Sequence, residues 1–150
     1  MPVFFIPLRI TNLYEFTYMA QYLTKQNLLF PELSFQIVGC LFEVYNQLGY
    51  GYSEQIYQRA ISQIFLAKGL QFREQVYIPI LFNQQTIGRQ YLDFLVEGKV
   101  VVELKQGRRF AKKHIDQLYQ YLVSSNLQLG LLVYFAPDKL IYKRIINLPN

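Results

Sequence analysis

The chain predicts an α/β fold in which a mixed β-sheet is flanked by helices, in the order α-α-β-β-β-α-β-β. Three observations lead there. Apolar residues recur at helical spacing in two successive stretches, first Ile37, Cys40, Leu41, Val44, Tyr45 and Leu48, then Ile56, Tyr57, Ala60, Ile61, Ile64 and Phe65. From Phe72 to Lys105 the period changes to two, and turn residues divide the stretch into three strands. After a further helical stripe, Ile115, Leu118 and Leu122, the segment Leu129–Phe135 reads as a buried strand because it is apolar without interruption.

The elements can be bounded in order. Residues Met1 to about Leu29 space their apolar groups irregularly. At most a short helix over Tyr14–Tyr22 is expected in what should be an N-terminal arm or extension, with residues 30–150 forming one domain. Pro31 and Glu32 suit a first helical turn, and Gly49 stops that helix. Ser53 is a natural N-cap for the second helix, which runs to Lys68 with Gly69 as a left-handed terminator. Phe72–Phe82 is the first strand, with Pro79 suggesting an edge. The turn Asn83–Thr86 leads to a strand over Ile87–Val96, and Lys99–Lys105 completes the meander. Gln106–Lys113 is a basic connection into a helix ending near Ser125, and Ala136-Pro137-Asp138 turns into a last strand, Leu140–Ile146.

The bulk properties narrow the function. At 150 residues, with 52% apolar residues, the chain can bury a sizeable core. A net charge of +5 permits an anionic partner without demanding one. The single cysteine, Cys40, falls in a helical apolar run and reads as a small buried hydrophobe. With one His besides, a zinc site built on those ligands is excluded in the monomer. No stretch reaches the roughly 20 apolar residues of a membrane span. The opening MPVFFIPLR lacks a basic n-region and is broken by prolines, so a cytoplasmic location without a membrane partner is expected.

The meander's second hairpin, Tyr91–Lys105, carries the chemistry. Asp93, Glu103 and Lys105 stand inside otherwise apolar strands, and the register decides which face each takes. A two-residue Glu97-Gly98 loop would mix charges and apolar groups on both faces. A three-residue loop, Val96-Glu97-Gly98, with Gly98 left-handed after a type I turn, separates them. Leu92, Phe94, Val100, Val102 and Leu104 then share one face, and Tyr91, Asp93, Lys99, Val101, Glu103 and Lys105 the other. Two carboxylates a few ångströms apart repel each other and persist mainly where a cation neutralises them. With oxygen donors only, the fitting ion is Mg²⁺ or Mn²⁺, held by Asp93, Glu103 and the backbone carbonyl of Leu104. Lys105 on the same face could orient a water activated by that ion, which outlines a phosphodiester hydrolase. A surface ion cluster of little energetic consequence is the competing explanation of the same residues.

Asp93…Glu103-Leu104-Lys105 resembles the core of the PD-(D/E)XK nuclease superfamily, with its restriction-endonuclease-like fold. Gly51-Tyr52-Ser53-Glu54-Gln55-Ile56-Tyr57 is similar to the motif of the GxxExxY protein family within it, and Gln117-Leu118-Tyr119-Gln120-Tyr121 to the QxxxY signature of the RecB-like branch. The resemblance spans about Leu28 to Ile146. It implies a metal-dependent nuclease, with Asp93 and Glu103 as ligands, Lys105 as catalytic lysine, Glu54 as a nearby acid, and Gln117 and Tyr121 bracing the site. Three features depart from the pattern: Leu92 precedes the aspartate in place of Pro or Ala, Tyr45 stands where relatives often have His, and the connection after Lys105 is unusually basic. His114 lies on the helical face of Gln117 and Tyr121 and is expected to face solvent.

Arg108, Arg109, Lys112 and Lys113 follow the candidate site directly. Cations at a helix start oppose the macrodipole, which suggests a phosphate backbone, DNA or RNA, as partner. A non-catalytic nucleic-acid-binding or interaction module on the same fold is the alternative to a nuclease. Clustered carboxylates facing phosphates argue against it.

Overall fold

The computed structural model describes residues 29–148, so the expected N-terminal arm lies, but for its last residue, outside the described residues. The elements are α1 (Pro31–Leu48), α2 (Glu54–Ala67), β1 (Phe72–Phe82), β2 (Gln85–Val96), β3 (Val100–Gln106), α3 (Lys112–Ser124), β4 (Leu129–Phe135) and β5 (Leu140–Ile146). This is the expected order. The strands form one sheet, β1-β2-β3-β4-β5, in which β3 and β4 are parallel and the other neighbours antiparallel. The parallel pair needs a crossover, and α3 supplies it.

The helices start and stop for the expected local reasons. The Ser53 hydroxyl accepts the Ile56 N–H at the head of α2, and Gly69 takes φ 73° just past its end. Helix α3 begins at Lys112, inside the expected connection, so its basic residues form a first turn as well as a loop. Ile56, expected in the α2 core stripe, is exposed instead.

Two cores sandwich the sheet. Helices α1 and α2 bury Ile37, Leu41, Tyr57, Ile61 and Phe65 against Phe94, Val100, Val102, Leu104, Leu131 and Val133. On the other face α3 buries Leu118, Tyr121 and Leu122 against Leu92, Leu95, Val101, Leu132 and Tyr134. Gly130 on β4 is where α3 comes closest, because an added Cβ would stand 2.9 Å from Leu118 Cδ1. Gly130→Ala must displace a fully packed leucine, and a loss of about 1–3 kcal/mol of stability is expected in urea unfolding.

The second hairpin corrects the expected register while keeping most of its consequence. Val96 pairs with Val100, so the loop is Glu97-Gly98-Lys99, and every partner on β3 moves two residues from the expected one. A two-residue shift preserves the faces. Glu97 and Gly98 both carry positive φ, 53° and 65°, as primed turns do, in place of a type I turn with Gly98 alone left-handed. Likewise Asn83 and Gln84, at φ 48° and 64°, form the first turn, and β2 starts at Gln85 rather than Ile87.

The expected faces fail for Leu92 and, with it, for Tyr91. Leu92 packs beneath α3 with Leu95 and Val101, not with Phe94 and Val102. The alternation breaks at Asp93 and at Gln75 opposite it. Glu74 and Phe94 pair, Val76 and Leu92 pair, and Gln75 between them has φ 47°. On the Phe72 side of this break even-numbered residues of both strands face α2, where Glu74 meets Ser62. On the other side Val76, Ile78 and Leu92 face α3. The two strands swap faces together, and Asp93 sits on the swap.

Candidate active site

Beyond Phe94↔Val102 the ladder between β2 and β3 stops, and the two carboxylates replace it. Glu103 Oε1 accepts the Asp93 N–H at 2.9 Å, and Asp93 Oδ2 accepts the Leu104 N–H at 2.8 Å. A regular strand would aim the Asp93 N–H at β1, since successive backbone groups point to alternate edges. Here it meets Glu103 instead, at the point where the β1–β2 pairing is interrupted at Gln75. Gln75 also donates to Asp93 Oδ1 at 3.2 Å and to Gln58 Oε1 of α2 at 3.0 Å, tying the kink to the helix.

These hydrogen bonds hold two acids in a site with little water. Glu103 is 6% exposed, and burial, with the Asp93 carboxylate adding to it, pushes its pKa up to about 8. Burial also raises Asp93, against the relief given by the Leu104 N–H. Lys105, half-buried two residues beyond Glu103, is the cation whose charge favours the ionised form of both. Glu54, in the first turn of α2, reaches the end of β3. It bonds the backbone of Gln106 and feels Lys105 and Asp93, while partial loss of water raises its pKa.

Helix α3 closes the other side. Tyr121 is buried, and burial followed by the Glu103 charge pushes its hydroxyl up to about 12; Gln117 hydrogen-bonds to it. His114 does not simply face solvent as expected: its Nδ1 bonds the Tyr134 hydroxyl, which also accepts the Ala111 N–H at 3.2 Å. Burial, then Lys105 and Lys113, holds its pKa low. The structure thus brings together Asp93, Glu103, Lys105, Glu54, Gln117 and Tyr121. Tyr57 is a packing residue, stacked on Phe135 at 3.9 Å with its hydroxyl donating to the Gly49 carbonyl. Tyr45 donates to the Ala136 carbonyl at 2.6 Å.

The basic connection divides. All four cations are exposed, but Lys112 alone pairs with an acid among the described residues, Asp116 one turn on at 2.6 Å, which offsets its charge at the helix start. Sequence reasoning missed Gln75 and Tyr134, because each matters through a cross-strand or tertiary partner that spacing does not disclose.

The donor set fits a hard divalent cation. Both carboxylates keep acceptor capacity beyond their backbone hydrogen bonds. The Leu104 N–H points to the β2 side, and in a strand the C=O of the same residue points there too. Among the described residues no three His, Cys, Asp or Glu side chains converge as a ligand cluster. Two carboxylates, a carbonyl and water would therefore complete the sphere, as Mg²⁺ accepts.

A comparison with curated protein sequences finds no match. Among solved structures, the crystal structure of SSO0001 superposes with a TM-score of 0.50 at 15% identity, over 79% of this chain and 78% of that one, a likeness of fold alone. The family model described as the PD-(D/E)XK nuclease superfamily matches residues 31–145, from the start of α1 to one residue short of the end of β5. The chain therefore belongs to the PD-(D/E)XK nuclease superfamily.

Proposed function

We propose that the protein is a divalent-metal-dependent nuclease of the GxxExxY type, hydrolysing phosphodiester bonds of nucleic acid. The observation that carries this reading is the reciprocal clasp of Asp93 and Glu103, set where the β2–β3 ladder opens and flanked by Lys105 and Glu54. Two acids held close together with little water oppose folding, and their pairing is explained by a cation they serve.

Asp93, Glu103 and the Leu104 carbonyl would hold Mg²⁺ or Mn²⁺. When bound, such a cation supplies positive charge against the scissile phosphate and makes an attacking water more acidic. Lys105 orients that water and stabilises the charge that builds on the phosphate oxygens. The water oxygen bonds to phosphorus, the bond to the leaving oxygen breaks, and the leaving oxygen is protonated from solvent. Glu54 takes the proton the water gives up. Gln117 and Tyr121 are positioning residues that hold the Glu103 side of the site from α3. Arg108, Arg109 and Lys113 bind the phosphate backbone outside it.

The test is cleavage of labelled single- and double-stranded DNA and RNA with Mg²⁺ or Mn²⁺ and an EDTA control. Metal-dependent cutting is expected; binding without cutting under every condition would overturn the reading. Arg108→Ala and Arg109→Ala should each weaken binding across sequences and reduce the salt slope of log affinity by about one.

A further inference from the structure

We propose that Tyr77 and Tyr91 form a stacking platform for unpaired bases, which makes single-stranded nucleic acid the substrate class. This deepens the nuclease reading and rests on it for the role of the neighbouring carboxylates.

The pair belongs to the part of the β1–β2 ribbon that runs past β3. Tyr77 lies directly opposite Tyr91, with ring centroids 5.9 Å apart and planes at 65°. Val76, Ile78 and Leu92 face α3, so alternation puts both tyrosines on the opposite, α2 side. That is the side where Gln75 bridges Asp93 and Gln58. Tyr91 stands two residues from Asp93, and Tyr77 two from Gln75, a spacing of roughly 7 Å along a strand. The platform is therefore the next step outward from Asp93 and Gln75.

A cross-strand aromatic pair can serve packing alone. Here both rings keep a large open surface: Tyr77 is 50% exposed and Tyr91 44%. One step further out, Arg89 opposes Pro79 on the same face, exposed and without a carboxylate partner among the described residues. Asp93 with its partner Gln75, the aromatic rings and a guanidinium thus follow one another along the α2 side of the ribbon. That is the sequence of contacts a strand needs when its phosphate sits at the carboxylates, its next base stacks, and its backbone continues over a cation. A paired duplex buries its base faces in its own stack and cannot use the rings.

The test measures binding in EDTA, where no cutting occurs, with labelled oligothymidylate, the same strand carrying abasic residues, and a duplex. The parent should prefer the base-bearing strand over the abasic one by about tenfold or more. Tyr77→Ala and Tyr91→Ala should remove that preference and leave duplex affinity unchanged, while Tyr77→Phe and Tyr91→Phe retain it. Equal parental affinity for normal and abasic strands would overturn the platform without relying on any variant. Base-dependent binding by a parent that cuts nothing would retain the platform and sink the nuclease reading. Cutting by a parent indifferent to bases would do the reverse.

Discussion

Glu103→Gln is expected to stabilise the metal-free protein while abolishing cleavage. The buried Glu103 carboxyl has its pKa at about 8, above the ordinary 4.5 of an unfolded chain. A raised carboxylate pKa means that the folded state keeps a proton the unfolded state releases. Stability from this group is complete below about pH 4.5 and is lost as pH rises through about 8. Asp93 shifts in the same direction and adds to the decline. Gln has no charge to lose, and its amide oxygen can still accept the Asp93 N–H that Glu103 accepts now. The variant should melt above the parent at pH 8 in EDTA, by roughly 2–4 °C for each kcal/mol regained, with little difference at pH 4.5. Mg²⁺ should raise the melting temperature of the parent at pH 8 and leave the variant where it is. A variant that melts below the parent at every pH would mean that Glu103 is held by favourable contacts rather than strained by burial.

Much of the architecture is legible in the sequence, because burial writes its period directly into residue type. Phe72–Phe82, Leu129–Phe135 and Leu140–Ile146 are bounded by turn residues and come out with the expected ends. The face swap at Gln75 and Asp93 is not legible. Leu92 and Phe94 are both apolar and two apart, so they read as one face, and nothing in their identity records a positive φ at Gln75 on the partner strand. Hydrogen bonds from side chains replace the ladder there, and such bonds leave no periodicity. The hairpin loop was short enough for a register two residues off to give the same faces, so hydrophobic patterning could not choose between them. At the candidate site, spacing alone placed Asp93, Glu103 and Lys105 together. Glu54, Gln117 and Tyr121 came only from resemblance, since they reach the cluster from two helices on opposite faces of the sheet. The Tyr77–Tyr91 pair needed a cross-strand partner assignment that the sequence left open.

Lys105→Ala should have the opposite effect on stability and should weaken activity without abolishing it. Lys105 is the shared cation of the site: its charge favours ionisation of Glu54, Asp93 and Glu103 alike. Without it the Asp93 and Glu103 carboxylates, and the more distant Glu54, lose their common counter-charge, and the metal-free protein should melt lower than the parent at pH 8. Cleavage should fall by about 10²–10³-fold, the usual loss when a preorganised charge is removed from a developing oxyanion, with oligonucleotide affinity in EDTA changed far less. The two substitutions touch one electrostatic cluster, so they should not add. With Glu103 already Gln, Lys105 has one fewer carboxylate to compensate, and its removal should cost less stability than in the parent. A double-mutant cycle in melting temperature at pH 8 reads this coupling without any need for activity. Strict additivity would show that Lys105 and Glu103 are neighbours without a common charge balance, leaving Lys105 as a surface cation at a strand end.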